Sequence, residues 1–288
     1  MVILVKIANM NYRHAYHAGN FADVVKHLAL TGILLHLRKK ESPFAVIDTH
    51  AGRGLYDLEG DAAARTGEAA KGIRRLLTPE VIGSALPEAL HHYLAIVQGS
   101  SARFYPGSPL IATMLLRPQD RLVAIEKHAE ESAALKSALA TFRNKALRSE
   151  CADGYARLNA LLPPPERRGL VLIDPPFEAP KEFQAEARAL GEAVKRFATG
   201  IYLLWFPIKS AGEANAFCGA VLATGIKKAL RIDIEVDAAK DADKERLSAS
   251  GLIVVNPPFG FADEMRESLA RIAPLLSART EVRMLVGE

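Results

Sequence analysis

Three short apolar runs, 44–48, 122–126 and 170–174, each end in an acid: Asp48, Glu126 and Asp174. Runs this short, with no alternation of polar residues, suit strands buried on both faces. Helical patterns separate them, which points to an α/β sheet rather than to segregated helices and strands. In such a sheet ligands bind beyond the carboxyl ends of the strands. Asp153 follows a fourth predicted strand at 146–149. One acid at a strand end needs no role beyond solvation, but four along one edge mark that edge as a candidate site.

The first helix is predicted over 21–40, with Asn20 as N-cap and Asp23 at N3. After the first strand comes a glycine loop, Gly52-Arg53-Gly54. A crossover helix should follow at once. Instead, residues 57–104 read as an insertion with helical stretches near 66–77 and 86–97. The crossover helix is expected to resume at Gly107-Ser108-Pro109, with Ser108 capping and Pro109 at N1. Helices at 130–142, 182–197, 211–224 and 262–276 then alternate with strands at 201–206, 228–236, 252–255 and 281–286. The expected organisation is a sheet of about seven strands built from 1–56 and 105–288, with 57–104 as an inserted helical subdomain.

At 288 residues, 49% hydrophobic and 24% charged, the chain is neither disordered nor low in complexity. Two cysteines, Cys151 and Cys218, exclude a disulfide scaffold and suit a reducing compartment. No apolar run approaches the ~18–20 residues needed to span a bilayer, and the apolar stretch Met1 to Ala8 lacks the order of a signal peptide. A cytoplasmic protein with no membrane partner is expected. A net charge of +4 permits nucleic-acid binding without arguing for it. No Cys/His spacing suggests zinc, so no metal is expected.

The sharpest chemical signal is Asp174-Pro175-Pro176-Phe177. Two prolines fix φ and remove two N–H donors, leaving carbonyls beside a carboxylate and an aromatic ring. An amino group on a nucleobase needs acceptors for its N–H bonds and a ring to stack on. Glu126 is placed to accept hydrogen bonds from two ribose hydroxyls, as the acid of a second strand does in dinucleotide folds. A dinucleotide fingerprint itself fails. Asp57 stands where a third glycine belongs, and Glu126 lies far beyond the ~20-residue spacing of that motif.

The proline motif resembles that of S-adenosylmethionine-dependent amino-methyltransferases. Nearly the whole chain from Met10 is similar to the bacterial 23S ribosomal RNA adenine-N6 methyltransferase (RlmJ) family. The blocks that carry this are Tyr12-Arg13-His14, His17-Ala18-Gly19-Asn20 with Asp23 and Lys26-His27, and Asp48-Thr49-His50-Ala51-Gly52. They continue with Tyr105-Pro106-Gly107-Ser108-Pro109, Ile173-Asp174-Pro175-Pro176, Arg196-Phe197-Ala198-Thr199-Gly200-Ile201-Tyr202 and Asn256-Pro257-Pro258. The resemblance implies a Rossmann-like class I methyltransferase sheet, S-adenosylmethionine as methyl donor and 23S ribosomal RNA as partner, with a monomer expected. It implies that His27 and His50 contact the cofactor and that Ser108, Glu126, Asp153 and Gly154 complete its pocket, Asp153 near the adenine amino group. It assigns Asp174 to the target amino group, beside the carbonyl of Pro175, and Tyr12 to the RNA side. Phe177, where related enzymes usually carry Tyr, keeps a stacking face and loses the hydroxyl. Residues 1–9 precede the part that resembles the family.

Arg13, His14 and Lys26 add positive charge near the N-terminus, and Arg65, Lys71, Arg74 and Arg75 cluster on the insertion. Solvated faces account for most such clusters; an RNA-grasping rim is the functional alternative. His27 also reads as a satisfied core histidine, because its helical neighbours are apolar. Asn256-Pro257-Pro258-Phe259 imitates a catalytic motif, but it follows a late antiparallel strand and is expected to be a structural turn. A DNA adenine methyltransferase and a non-catalytic RNA- or nucleotide-binding protein are the competing functions.

Overall fold

The computed structural model describes residues 16–237 and 247–287. Tyr12, Arg13, His14 and residues 1–9 lie outside the described residues. The strands are β1 (Ala45–Asp48), β2 (Leu55–Asp57), β3 (Phe104–Pro106), β4 (Arg121–Glu126), β5 (Leu147–Cys151), β6 (Gly169–Ile173), β7 (Ile201–Pro207), β8 (Ala229–Val236), β9 (Ala249–Val255) and β10 (Ala278–Val286). Eight of them form one sheet in the order β10-β8-β9-β7-β6-β1-β4-β5. β5, β4, β1, β6 and β7 run parallel. β9 enters antiparallel between β7 and β8, and β10 closes the edge antiparallel to β8. This is the class I methyltransferase arrangement, with one strand more than expected. Strand order reverses at β1, which sits between β4 and β6, so the crevice beyond its carboxyl end is where a ligand belongs.

The helices are α1 (Phe21–Arg38), α2 (Asp61–Thr66), α3 (Glu68–Lys71), α4 (Pro79–Ile82), α5 (Glu88–Gly99), α6 (Ser108–Leu115), α7 (Ala129–Ala140), α8 (Gly154–Leu161), α9 (Glu182–Arg196), α10 (Ala211–Leu222) and α11 (Phe261–Leu276). They cover both faces. Val46, Leu172 and Leu203 point to the face that carries α1, α6 and α11. Ile47, Val171, Ile173 and Leu204 point to the face that carries α9 and α10. Burial on both sides explains why these strands read as unbroken apolar runs.

α1 starts on a reciprocal cap. The Asp23 N–H donates to Asn20 Oδ1, and the Gly19 N–H donates to Asp23 Oδ2, both at 2.9 Å. The helix is then buried on nearly every side, because α5 and α11 pack against it opposite the sheet. At α6 the expectation needs correcting. Gly107 is the N-cap, and Ser108 is the first helical residue. The serine hydroxyl is turned away from the helix end and donates to Asp48 Oδ2 at 2.6 Å.

Residues 57–104 carry α2 to α5, and the short antiparallel pair β2–β3 brackets them. Tyr56 stands opposite Tyr105, and Asp57 opposite Phe104. Among the described residues no helix is long and apolar enough to cross a membrane.

Candidate active site

Beyond the carboxyl ends of β1, β4, β5 and β6 lies a cleft of about 370 Å³, in the size range of small-molecule sites. His27, His50, Ser108, Glu126, Asp153 and Gly154 all line it, together with Lys26, Asp174 and Pro175. Phe177 does not; its ring lies 4.7 Å from Phe183 and 5.7 Å from Trp205, centroid to centroid. The chain takes φ +51° at Phe177 directly after the prolines, and the ring joins this aromatic group instead of facing the cleft. The expected stacking face is therefore occupied by neighbouring side chains.

Glu126 joins the β1 loop to the loop after β4. Glu126 Oε2 accepts the Gly52 N–H at 2.9 Å, and Oε1 accepts the His128 N–H at 2.7 Å. Each oxygen keeps acceptor capacity for a hydroxyl. Burial raises the Glu126 pKa despite these bonds. Burial also pushes Asp48 up to about 7, against the bond from Ser108, with Asp174 adding to the rise. His50 moves the other way, down to about 4, because burial disfavours its charged form. It is neutral at physiological pH and its ring stands edge-on to Tyr155, 5.0 Å between centroids.

Asp153 is the N-cap of α8, accepting the Ala156 N–H at 3.1 Å through Oδ1. Its Oδ2 meets Lys127 Nζ at 3.0 Å. Burial pulls its pKa up, but Lys127 and the cap bond leave it below the ordinary value. Gly154 follows because nothing larger fits: a Cβ there would stand 2.1 Å from the Thr49 carbonyl oxygen. His27 is buried in the middle of α1, its Nδ1 2.6 Å from Tyr105 Oη, which is 2.9 Å from Tyr93 Oη. The same residue lines the cleft.

Lys26 is the clearest correction. Expected at the RNA, its side chain is only 5% exposed and its ammonium lies between Asp23 Oδ1 at 2.8 Å and Asp174 Oδ2 at 2.5 Å. Burial alone would lower its pKa, but Asp174 and then Asp23 raise it well above the ordinary value. Asp23, one helical turn earlier, is fixed by the cap, so the ammonium is directed inward. Within residues 57–104, Arg65, Lys71, Arg74 and Arg75 are exposed, though Arg75 Nη1 also donates to the Leu275 carbonyl at 3.2 Å. Asn256 sits in a rigid turn, donating through Nδ2 to the carbonyls of Ala198 and Gly200 at 2.9 and 2.7 Å, outside the cleft.

Sequence reasoning missed Tyr56, Tyr155 and Glu182 in the cleft wall. Tyr155 follows the Asp153-Gly154 pair directly, a signal that was available. Glu182, whose Oε1 accepts the Tyr155 hydroxyl at 2.9 Å, opens an ordinary polar helix and carried none.

The cleft is rich in acids. Among the described residues Glu126, Glu131, Asp153, Asp174 and Glu182 face it, against Lys26 and Lys127. Such a wall suits a cation with free hydroxyls and repels a polyphosphate. S-adenosylmethionine, a sulfonium with a ribose diol, fits this donor set, with Glu126 suited to the diol and neutral His50 adding no repulsion. Strand order is that of the class I methyltransferase fold, and the cleft suits S-adenosylmethionine.

A family profile described as Ribosomal RNA large subunit methyltransferase D, RlmJ, matches residues 41–285. Ribosomal RNA large subunit methyltransferase J of Escherichia coli (strain K12) is 40% identical over 287 residues, 97% of this chain and 100% of its own. The Haemophilus influenzae protein of the same name is 39% identical over 272 residues, 93% and 94% of the two chains. A crystal structure from Legionella pneumophila matches with a TM-score of 0.83 at 33% identity, covering 93% of this chain and 98% of that one. The chain belongs to the RlmJ family.

Proposed function

We propose that the protein methylates the N6 amino group of an adenine in 23S ribosomal RNA. Two relatives that match it nearly end to end are named as large-subunit ribosomal RNA methyltransferases, which supports the RNA class. The observation that carries the chemistry is the Asp174-Pro175-Pro176 turn in the cleft wall, with Lys26 on one carboxylate oxygen only.

The lone pair of an exocyclic amino nitrogen is delocalised into its ring, so it attacks poorly. Asp174 Oδ1 and the Pro175 carbonyl accept its two N–H bonds, favour a pyramidal nitrogen and hold it against the methyl donor. Lys26 holds Asp174. The bound cofactor supplies a methyl group on positively charged sulfur, which departs as a neutral thioether. A nitrogen–carbon bond would form as the carbon–sulfur bond breaks, and the proton lost by the nitrogen would pass by way of Asp174 to solvent. Orientation of this kind is worth several kcal/mol, on the order of 7 or more in well-aligned systems. Tyr12 and Arg13 belong to the RNA side of this reading, which calls on a single chain in the cytoplasm, no metal and no membrane.

The test uses labelled S-adenosylmethionine and ribosomal RNA from a strain lacking the gene, followed by digestion to nucleosides. Label in N6-methyladenosine, lost with Asp174→Asn, is the expected result. Label that appears only when DNA replaces RNA overturns the substrate, and no label on either overturns the reading.

A further inference from the structure

We propose that the groove between α7 and β5, at the open edge of the sheet, carries the phosphate backbone of the RNA that flanks the target base. The inference rests on the ribosomal RNA reading above and names a second contact surface for it, outside the cleft.

Lys136, Arg143, Lys145 and Arg148 all line this open groove of about 510 Å³. All four are exposed, and none makes an ion pair or a side-chain hydrogen bond among the described residues. Their surroundings explain why. The positions three and four residues from Lys136 on α7 hold Ser132, Ala133, Leu139 and Ala140, so no helical neighbour carries an acid. β5 is the last strand of the sheet, so Arg148 has a strand neighbour only on β4, where it stands opposite Val123. The one acid in the lining, Glu150, is already paired, its two oxygens accepting from Arg157 at 2.6 and 3.1 Å. Arginines elsewhere find acids, as Arg103 does at Asp57 and Arg121 at Glu166. Here four positive charges share one groove, and its single acid is spent on another residue.

Clustered, uncompensated cations attract a polyanion, and phosphates answer them whatever the base sequence. Position favours the RNA on which the cleft acts. β5 rises ~13 Å from Leu147 to Cys151, and the cleft wall at Asp153 and Gly154 begins two residues later. Sideways, β5 stands three strand spacings from β6, or ~14 Å. The groove therefore lies roughly 20 Å from the Asp174 turn, close enough for one RNA to occupy both. The acid-rich cleft repels phosphates, so a basic surface beside it supplies the attraction that the cleft withholds. Charges on an edge strand also keep other chains from pairing with it. That role predicts self-association, not loss of RNA, when they are removed.

The experiment combines Arg143→Gln, Lys145→Gln and Arg148→Gln in one variant and follows its binding to ribosomal RNA against salt. Methylation of the same RNA by wild type tests the underlying reading by itself. The expected result is binding weaker by about tenfold or more at low salt, with a slope of log affinity against log salt shallower by about 2 to 3. KM for RNA should rise to match, with kcat and S-adenosylmethionine affinity unchanged. Combining Arg266→Gln, Arg279→Gln and Arg283→Gln removes the same charge at the far, β10 edge of the sheet and should alter neither affinity nor slope. Equal losses in the two triple variants reduce the effect to net charge and overturn the proposal. So does wild-type RNA affinity in the groove variant, whether or not the variant self-associates. In wild type, bound RNA should shield Lys136 and Lys145 from an amine-acetylating reagent. Lysines that stay reactive overturn the proposal without any variant.

Discussion

Lys26 on α1 and Asp174 at the end of β6 are 148 residues apart in sequence, and their Nζ and Oδ2 atoms are 2.5 Å apart in the fold. The bond ties α1 to the Asp174-Pro175-Pro176 turn in the cleft wall. The same ammonium meets Asp23, which also caps the helix, so the cap, the cation and the motif form one connected unit.

Lys26→Met leaves two acids facing each other without a cation. Removing one partner of such a buried pair costs about 3 kcal/mol or more. The freed Asp174 loses its fixed direction, and a misplacement of ~1 Å is worth about a hundredfold in rate. Urea unfolding and single-turnover methylation measure the two losses separately. Full turnover in a destabilised Lys26→Met enzyme would show the pair to be structural only.

Asp48 gives stability a pH signature. Its folded pKa of about 7 lies above the ordinary 3.8. A raised carboxyl pKa favours the fold fully below the ordinary value, and that contribution is lost as pH climbs through 7. Between pH 6 and 8 the protein should lose roughly 1 kcal/mol from this group. Asp48→Asn should flatten that slope; an unchanged slope assigns it elsewhere.

Glu186 lies on α9 one turn beyond Glu182, wholly buried, with no partner for either carboxylate oxygen. Burial first, then Asp174 and Glu182, raise its pKa well above the ordinary value. The cost of ionising it therefore grows with pH. Melting temperatures of wild type and Glu186→Gln should nearly coincide at pH 5, with the variant ahead at pH 8. A gap that stays constant across pH excludes titration of Glu186 as its cause.

Gly154→Ala drives a methyl group into the backbone at Thr49, which must move the β1 loop beside the cleft. Calorimetry should show S-adenosylmethionine affinity falling by about tenfold or more, as for other displaced contact groups. Gly212→Ala on α10, where nothing stands within 4 Å of the new carbon, is the control. It should leave affinity alone and add up to about 1 kcal/mol of stability.

Four of the five parallel strands, β1, β4, β6 and β7, were readable because burial on both faces writes a strand as an unbroken apolar run. The acids that close β1, β4 and β6 were readable because a charge ends such a run abruptly. β2 and β3 were not, since three residues each carry no periodicity and their pairing spans an insertion. Ser108 looked like a helix cap because a cap and a carboxylate donor need the same hydroxyl; only the fold shows Asp48 beside it. Lys26 looked like surface charge because its partner lies on another strand, far along the chain. Glu186 and Glu182 were hidden for the opposite reason: on a helix with so many polar residues, a buried acid and a solvated one look alike.

The small ladder of β2 and β3 closes the neck of residues 57–104 to the width of one hairpin, so the main sheet could accept this excursion without changing its register. These residues also reach the cleft indirectly. Tyr93 of α5 reaches back through Tyr105 to His27, so the added helices hold one end of a chain of polar contacts whose other end lines the cleft. Replacing residues 57–104 with a shorter loop would take away Tyr93 and with it the far end of the polar chain that holds His27 at the cleft.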